Sequence, residues 1–119
     1  MSERVLGVSD SGGKAQLISI ECHITSGLPA IIIVGFTNKA VDEAKERLRA
    51  AFSATNIQFP KKRITLNLAP ADIPKDGSGF DLGMAAAILL ESKLIKDANK
   101  DLVYIGELGL NGIIRPVRG

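Results

Sequence analysis

The stretch that decides the fold is Arg63-Ile64-Thr65-Leu66-Asn67-Leu68-Ala69-Pro70-Ala71-Asp72-Ile73-Pro74-Lys75-Asp76-Gly77-Ser78-Gly79-Phe80-Asp81-Leu82. Its first six residues alternate, with Ile64, Leu66 and Leu68 on one face, the period-two pattern of a half-buried strand. Pro70, Pro74, Gly77 and Gly79 then punctuate a loop from Ala69 to Gly79. Beyond it, Phe80 to Ser92 is apolar nearly all round (Leu82, Met84, Ala85–Ala87, Ile88–Leu90), which predicts a buried helix. A strand that passes through a polar loop into a buried helix calls for a sheet with a helical layer against it.

Working toward the N-terminus, Thr37 or Asn38 is placed to cap a helix running to about Ala54. Val41, Ala44, Leu48 and Ala51/Phe52 form its apolar stripe, while Lys39, Asp42, Glu43, Lys45, Glu46, Arg47 and Arg49 read as a solvated face. Ala30-Ile31-Ile32-Ile33-Val34 is an unbroken apolar run that suits a strand covered on both faces. From Ala15 to Thr25, Ile18, Ile20, Cys22 and Ile24 alternate with Ser19, Glu21 and His23, another half-buried strand. Residues 3–8 predict a short first strand, with a turn over Ser9 to Gly13. Toward the C-terminus, Val103–Leu108 and Ile113–Arg115 flank Asn111-Gly112, a hairpin signal. The order strands, helix, strand, helix, hairpin gives an α/β fold: a two-layer mixed sheet with two main helices in one domain, 1–119.

Composition excludes more than it selects. The 119 residues are 45% apolar but only 4% aromatic, and 15 Lys+Arg against 13 Asp+Glu leave a net charge of +2. That balance does not by itself imply a polyanion partner. One Cys and one His exclude a disulfide framework and a Cys/His zinc site. Cys22 and His23 are neighbours on a strand, so they point to opposite faces and cannot share an ion. No apolar run approaches the roughly 20 residues of a membrane helix, and no signal-peptide block opens the chain. A soluble, cytoplasmic protein with no membrane partner is expected.

Three segments could carry chemistry. Gly7-Val8-Ser9-Asp10-Ser11-Gly12-Gly13-Lys14-Ala15 resembles a phosphate loop only superficially: the spacing demands Gly where Val8 stands and a hydroxyl where Ala15 stands. No helix pattern follows to supply its amides. Ser78, at the loop–helix junction, is a candidate nucleophile with Lys75 as its nearest base, as in Ser–Lys dyads. Its structural alternative is that Ser78 caps the second helix while Gly77 and Gly79 supply unusual backbone angles. Lys61, Lys62 and Arg63, with Arg115 and Arg118, are candidate phosphate contacts for DNA, although few aromatics exist for bases to stack on.

Taken together, three segments resemble a known family. They are Gly27-Leu28-Pro29-Ala30 through Ile33-Val34-Gly35-Phe36 with Ala40-Val41 and Arg47 to Ala51; Arg63 to Lys75 with Gly77-Ser78 and Phe80-Asp81-Leu82; and Gly106-Glu107-Leu108 with Leu110, Gly112 and Arg115-Pro116-Val117-Arg118-Gly119. In this order they resemble the N-terminal domain of the ComM/YifB family of magnesium-chelatase-like AAA+ ATPases. The resemblance implies a fold similar to the Lon proteolytic domain and to the second domain of a ribosomal small-subunit protein. Lon-type proteases carry Pro-Lys-Asp-Gly-Pro-Ser-Ala-Gly; here Pro74-Lys75-Asp76-Gly77 matches, but Ser78 stands in the proline position and Gly79 in that of the nucleophile. The later Lon lysine falls beyond Gly119. The resemblance further implies hexameric DNA branch-migration helicases of transformation, whose ATP and Mg2+ are bound by an ATPase module following this domain. The expectation is therefore an N-terminal fragment that is itself no enzyme and binds no cofactor, acting in ring assembly or DNA engagement; the alternative is a Lon-like serine peptidase using Ser78 and Lys75.

Overall fold

The computed structural model describes residues 4–11, 14–73, 75, 77–96 and 102–117. Strands β1 (Arg4–Ser11) and β2 (Lys14–Thr25) form an antiparallel hairpin, followed by β3 (Ala30–Val34), α1 (Asn38–Ala54), β4 (Arg63–Ala69) and α2 (Asp81–Glu91). A short hairpin, β5 (Glu107–Leu108) and β6 (Ile114–Arg115), closes the order. The main sheet runs β1-β2-β4-β3, antiparallel except for the parallel pair β3–β4, which α1 connects as a crossover. This is the mixed α/β sheet with two main helices that the sequence predicts.

The alternation seen in sequence sets which face is covered. Val5, Ile18, Ile20, Cys22, Ile31, Ile33, Ile64, Leu66 and Leu68 are buried together with both helices. Their registers bring Ile20 opposite Val5 and Leu68, and Leu66 opposite Cys22 and Ile33, so the inward residues form continuous rows. Glu21, His23, Thr65 and Asn67 fall on the other face, where His23 Nε2 lies 3.9 Å from Glu21. Helix α1 buries Ala40, Ala44, Leu48, Ala51 and Phe52, and α2 buries Gly83 and Met84 through Ile88. Their small residues let both helices approach the sheet closely.

Local chemistry fixes the helix ends. The Thr37 hydroxyl accepts from the Ala40 amide at 3.4 Å, so the predicted cap holds. Both helices finish in Schellman turns. In α1, Asn56 adopts φ 59 while Ile57 N bonds Phe52 O at 2.9 Å and Asn56 N bonds Ser53 O. In α2, Lys93 adopts φ 60 while Leu94 N bonds Leu89 O at 2.9 Å and Lys93 N bonds Leu90 O.

Several expectations need correcting. Ala30–Val34 is covered on one face rather than both: Ile31 and Ile33 point inward and are buried while Val34 stays exposed, and the strand lies at the sheet edge, paired only with β4. Ser78 does not cap α2 with its side chain; Phe80 is the N-cap residue without a side-chain bond, and it is the Ser78 carbonyl that accepts from Asp81 N at 3.1 Å. Gly77 has the left-handed φ of 79, as expected, whereas Gly79 is not among the positive-φ residues. The first two strands extend to Ser11 and from Lys14, farther than the turn signals suggested, with Gly12 and Gly13 outside the described residues. The segment 103–108 contributes only a parallel bridge from Val103 to Leu6 and the two residues of β5.

Gly35 is a fixed point of this architecture. It has φ 100, and a Cβ there would stand 2.3 Å from the Leu68 carbonyl oxygen. Gly35→Ala is therefore expected to cost about 3 kcal/mol or more, since neither the φ nor the main-chain contact can relax cheaply; urea denaturation measures it. Cys22 gives a second test. Burial, aided by the charge of Glu91, pushes its thiol from 9.0 to about 12. The folded chain then keeps a proton that the unfolded chain loses, so this contribution to stability is full below pH 9 and erodes as pH rises toward 12. Correspondingly, the native thiol should resist a disulfide reagent at pH 8 and react once denaturant is added.

Candidate functional site

The loop after β4 meets the turn after β3 because the two strands are parallel neighbours, so their C-terminal ends lie side by side. Thr37 N donates to the Lys75 carbonyl at 3.2 Å, and Phe36 and Phe80 pack edge to face with ring centroids 5.7 Å apart. Lys75 turns inward beneath this junction and is only 2% exposed. Its Nζ donates to the carbonyl of Pro70, which follows a cis peptide bond, and to that of Ile73 at 2.6 Å. Its stem lies against Gly35, where a Cβ would come within 3.1 Å of Lys75 Cε. Burial pulls this amine below its ordinary value, with Asp72 pulling it back up.

A general base must aim a lone pair at the proton it takes. The bonds described for Nζ use its protons on two main-chain oxygens and tie the loop to itself. Ser78 lies in the turn before α2, half-buried, and Gly79 faces Val117 rather than a reactive group. Pro74 and Asp76, the remaining members of the matched motif, lie outside the described residues.

The basic candidates stand elsewhere. Arg63 opens β4 and Ala69 closes it, so Lys61, Lys62 and Arg63 sit at the opposite end of the sheet from Lys75, roughly 20 Å away at the strand rise. Lys61 and Lys62 share a shallow cleft of about 350 Å³ with Arg49, from α1. Arg115 is separate: it pairs in register with Glu107 and lines a hollow with Arg47 and Asn111. Arg118 lies outside the described residues. The structure thus brings Arg49 to the two lysines and leaves Arg115 in a different hollow.

One charged group escaped the sequence reading. Arg47, counted there among the solvated face, donates to Asp81 through Nε at 2.6 Å and Nη2 at 3.1 Å. The Asp81 side chain is fully buried and also accepts from Leu108 N at 3.1 Å. Burial pushes the Asp81 carboxyl upward while Arg47 and the Leu108 amide oppose it, and the bond to Asp81 pushes Arg47 upward. The available signal was twofold. Arg47 falls at stripe spacing with Ala40, Ala44 and Ala51, and Asp81 opens a helix that is otherwise almost wholly apolar.

This carboxylate joins α1, α2 and β5 at one point. Asp81→Ala should destabilise the chain by about 3–5 kcal/mol because it strands a partly buried guanidinium and an amide. Asp81→Asn should cost less, since the amide oxygen can still accept from Leu108. Chemical denaturation of the two variants distinguishes the loss of charge from the loss of the acceptor.

Comparison with known proteins matches the family model described as subunit ChlI of Mg-chelatase over residues 20–119. The uncharacterized protein YifB of Salmonella typhimurium is 43% identical over 109 residues, 91% of this chain and 22% of that protein. The competence protein ComM of Haemophilus influenzae is 42% identical over 109 residues, again 91% of this chain and 21% of its own length. The uncharacterized protein Rv2897c of Mycobacterium tuberculosis is 39% identical over 117 residues, 98% of this chain and 23% of that protein. The chain spans about a fifth of the length of these curated relatives. With most of its residues matched at this level, the chain belongs to the ComM/YifB family of proteins related to the ChlI subunit of Mg-chelatase.

Proposed function

We propose that the chain is a non-catalytic accessory domain of a ComM-like AAA+ ATPase, serving the assembly of its ring or its engagement of DNA. The observation that carries this reading is Lys75: the lysine of the Lon-like motif is buried and committed to the carbonyls of Pro70 and Ile73. The position matching the Lon nucleophile is Gly79, which has no side chain to react. The motif here braces a loop. The rival peptidase reading would need Ser78 to be activated by an amine whose described bonds end on main-chain oxygens.

Nucleotide chemistry is assigned to the rest of the longer protein. Lys14, the only lysine of the glycine turn that resembles a phosphate loop, opens strand β2 rather than a helix. The amides and N-terminal dipole that cradle phosphate are thus not behind it. ATP and Mg2+ would act in the ATPase module, and no step of their chemistry is routed through these residues.

An assembly role draws support from the C-terminal segment. Leu102, Ile105, Leu110, Ile113 and Ile114 all stand about half-exposed or more, with Leu110 at 62%. Apolar side chains gathered on one short segment are the kind of surface a neighbouring module or subunit covers. No described helix is long and apolar enough to cross a membrane. The DNA reading rests on Arg49, Lys61 and Lys62 sharing one cleft.

Two measurements on this chain test the proposal. Calorimetric titration with Mg-ATP should show no micromolar binding, and a fluorophosphonate probe should leave wild type and Ser78→Ala equally unlabelled. Micromolar ATP affinity, or labelling that disappears with Ser78→Ala, overturns it.

A further inference from the structure

The end of the molecule opposite Lys75 carries a composite cleft. Its larger part is a hollow of about 610 Å³ between the C-terminal ends of the two helices, walled by Ile57, Phe59, Leu89, Leu94 and Ile95. The two Schellman turns build it. Each places an apolar residue just past its helix, Ile57 after α1 and Leu94 after α2. Phe59 is braced from behind by Phe52, ring centroids 5.0 Å apart. Ser92 also lines the hollow, and its Oγ is buried with no hydrogen-bond partner among the described residues.

The smaller part is the cleft of Arg49, Lys61 and Lys62, and the two share Gln58, Phe59 and Pro60 as a common wall. These three cations are exposed, and none joins an ion pair among the described residues. Cavities of this size lined by apolar groups with a few polar ones suit a ligand that buries side chains. The cationic half adds a demand for negative charge at one end only. The last turns of α1 and α2 carry the negative ends of their dipoles beside the apolar half, so an acidic group belongs at the lysines and not there.

We infer that this cleft is a docking site for a partner-protein segment with two or more large apolar side chains followed by carboxylates. Its apolar part fills the hollow between the helix ends. Its acidic part lies along Lys61, Lys62 and Arg49. The inference goes beyond the accessory role proposed above: it gives the Arg49, Lys61 and Lys62 cleft to protein rather than DNA, so its success removes the DNA arm of that role and leaves the ring-assembly arm standing. Bare nucleic acid fits less well, because phosphate contacts alone make no use of the apolar half.

The test is a selection of random twelve-residue peptides displayed against the immobilised chain, followed by fluorescence anisotropy of the most enriched peptide. Two variants probe the halves, Leu94→Asp and the double substitution Lys61→Glu with Lys62→Glu. All three residues are exposed, Leu94 at 58%, so the fold should survive, as thermal melts will verify. The expected result is enrichment of peptides joining large apolar residues to Asp or Glu, with binding weakened about tenfold or more by each variant. Absence of enrichment, peptides without an acidic end, or indifference to either variant overturns the inference. Binding of a 30-nucleotide single strand in place of peptide, lost only with the lysines, also overturns it and makes the cleft a phosphate track.

Discussion

The structure depends on one buried carboxylate. Asp81 sits at the first turn of a helix with almost no other polar group, and an unpaired charge there would be intolerable. Arg47 reaches it from α1 with two bonds, and the Leu108 amide reaches it from β5. Three elements far apart in sequence are thus held by one side chain whose satisfaction requires all of them. Leu48, Phe52, Met84 and Ile88 pack the two helices against the sheet, but such contacts carry little directionality. A bidentate charge pair specifies one setting.

That setting fixes both ends of the molecule. At one end, the parallel β3–β4 pair delivers Gly35 and Lys75 to the same point, and the lysine is spent on holding the Pro70–Ile73 turn. At the other, α1 and α2 finish near each other, and their terminal turns leave apolar residues facing a hollow. One end is closed by internal hydrogen bonds, and the other is open, with cations beside it that join no ion pair among the described residues. At the first pole the Pro-Lys-Asp-Gly motif's lysine braces its own loop, and at the second the apolar hollow and the exposed cations lie side by side.

Much of this was legible in sequence, and the reasons are particular. The strands at Ala15–Thr25 and Arg63–Leu68 announced themselves because one face of the sheet is solvated, so their polar residues alternate. The edge position of Ala30–Val34 was hidden, since a run of β-branched residues reads the same for a central strand as for an edge strand half-shielded by a helix. The Thr37 cap was readable from residue type, and the apolar run of α2 ended where predicted, at Ser92; the left-handed turn at Lys93 was not readable, because it carries none of the glycine signal that such turns usually give. The tie of Lys75 was equally invisible, because a lysine in a Gly/Pro loop ordinarily points into water. Loop chemistry singled out the residue as a possible base, the family resemblance put Gly79 in the nucleophile position, and only the geometry shows what the Lys75 amine holds.

The cleft illustrates why a candidate site can be harder to read than a fold. Its walls come from Arg49 on α1, from Ile57–Pro60 and from Leu89–Ile95, the last nearly thirty residues beyond the second. No local pattern links them, and each taken alone is ordinary: an apolar loop, a helix-surface arginine, a capped helix end. They converge because both helices run from the Lys75 end of the sheet to the Lys61 end, a direction set by the crossover between β3 and β4 and by the Asp81 clasp. The same constraint that brings Lys75 against Gly35 at one pole therefore sets the apolar hollow beside the lysines at the other.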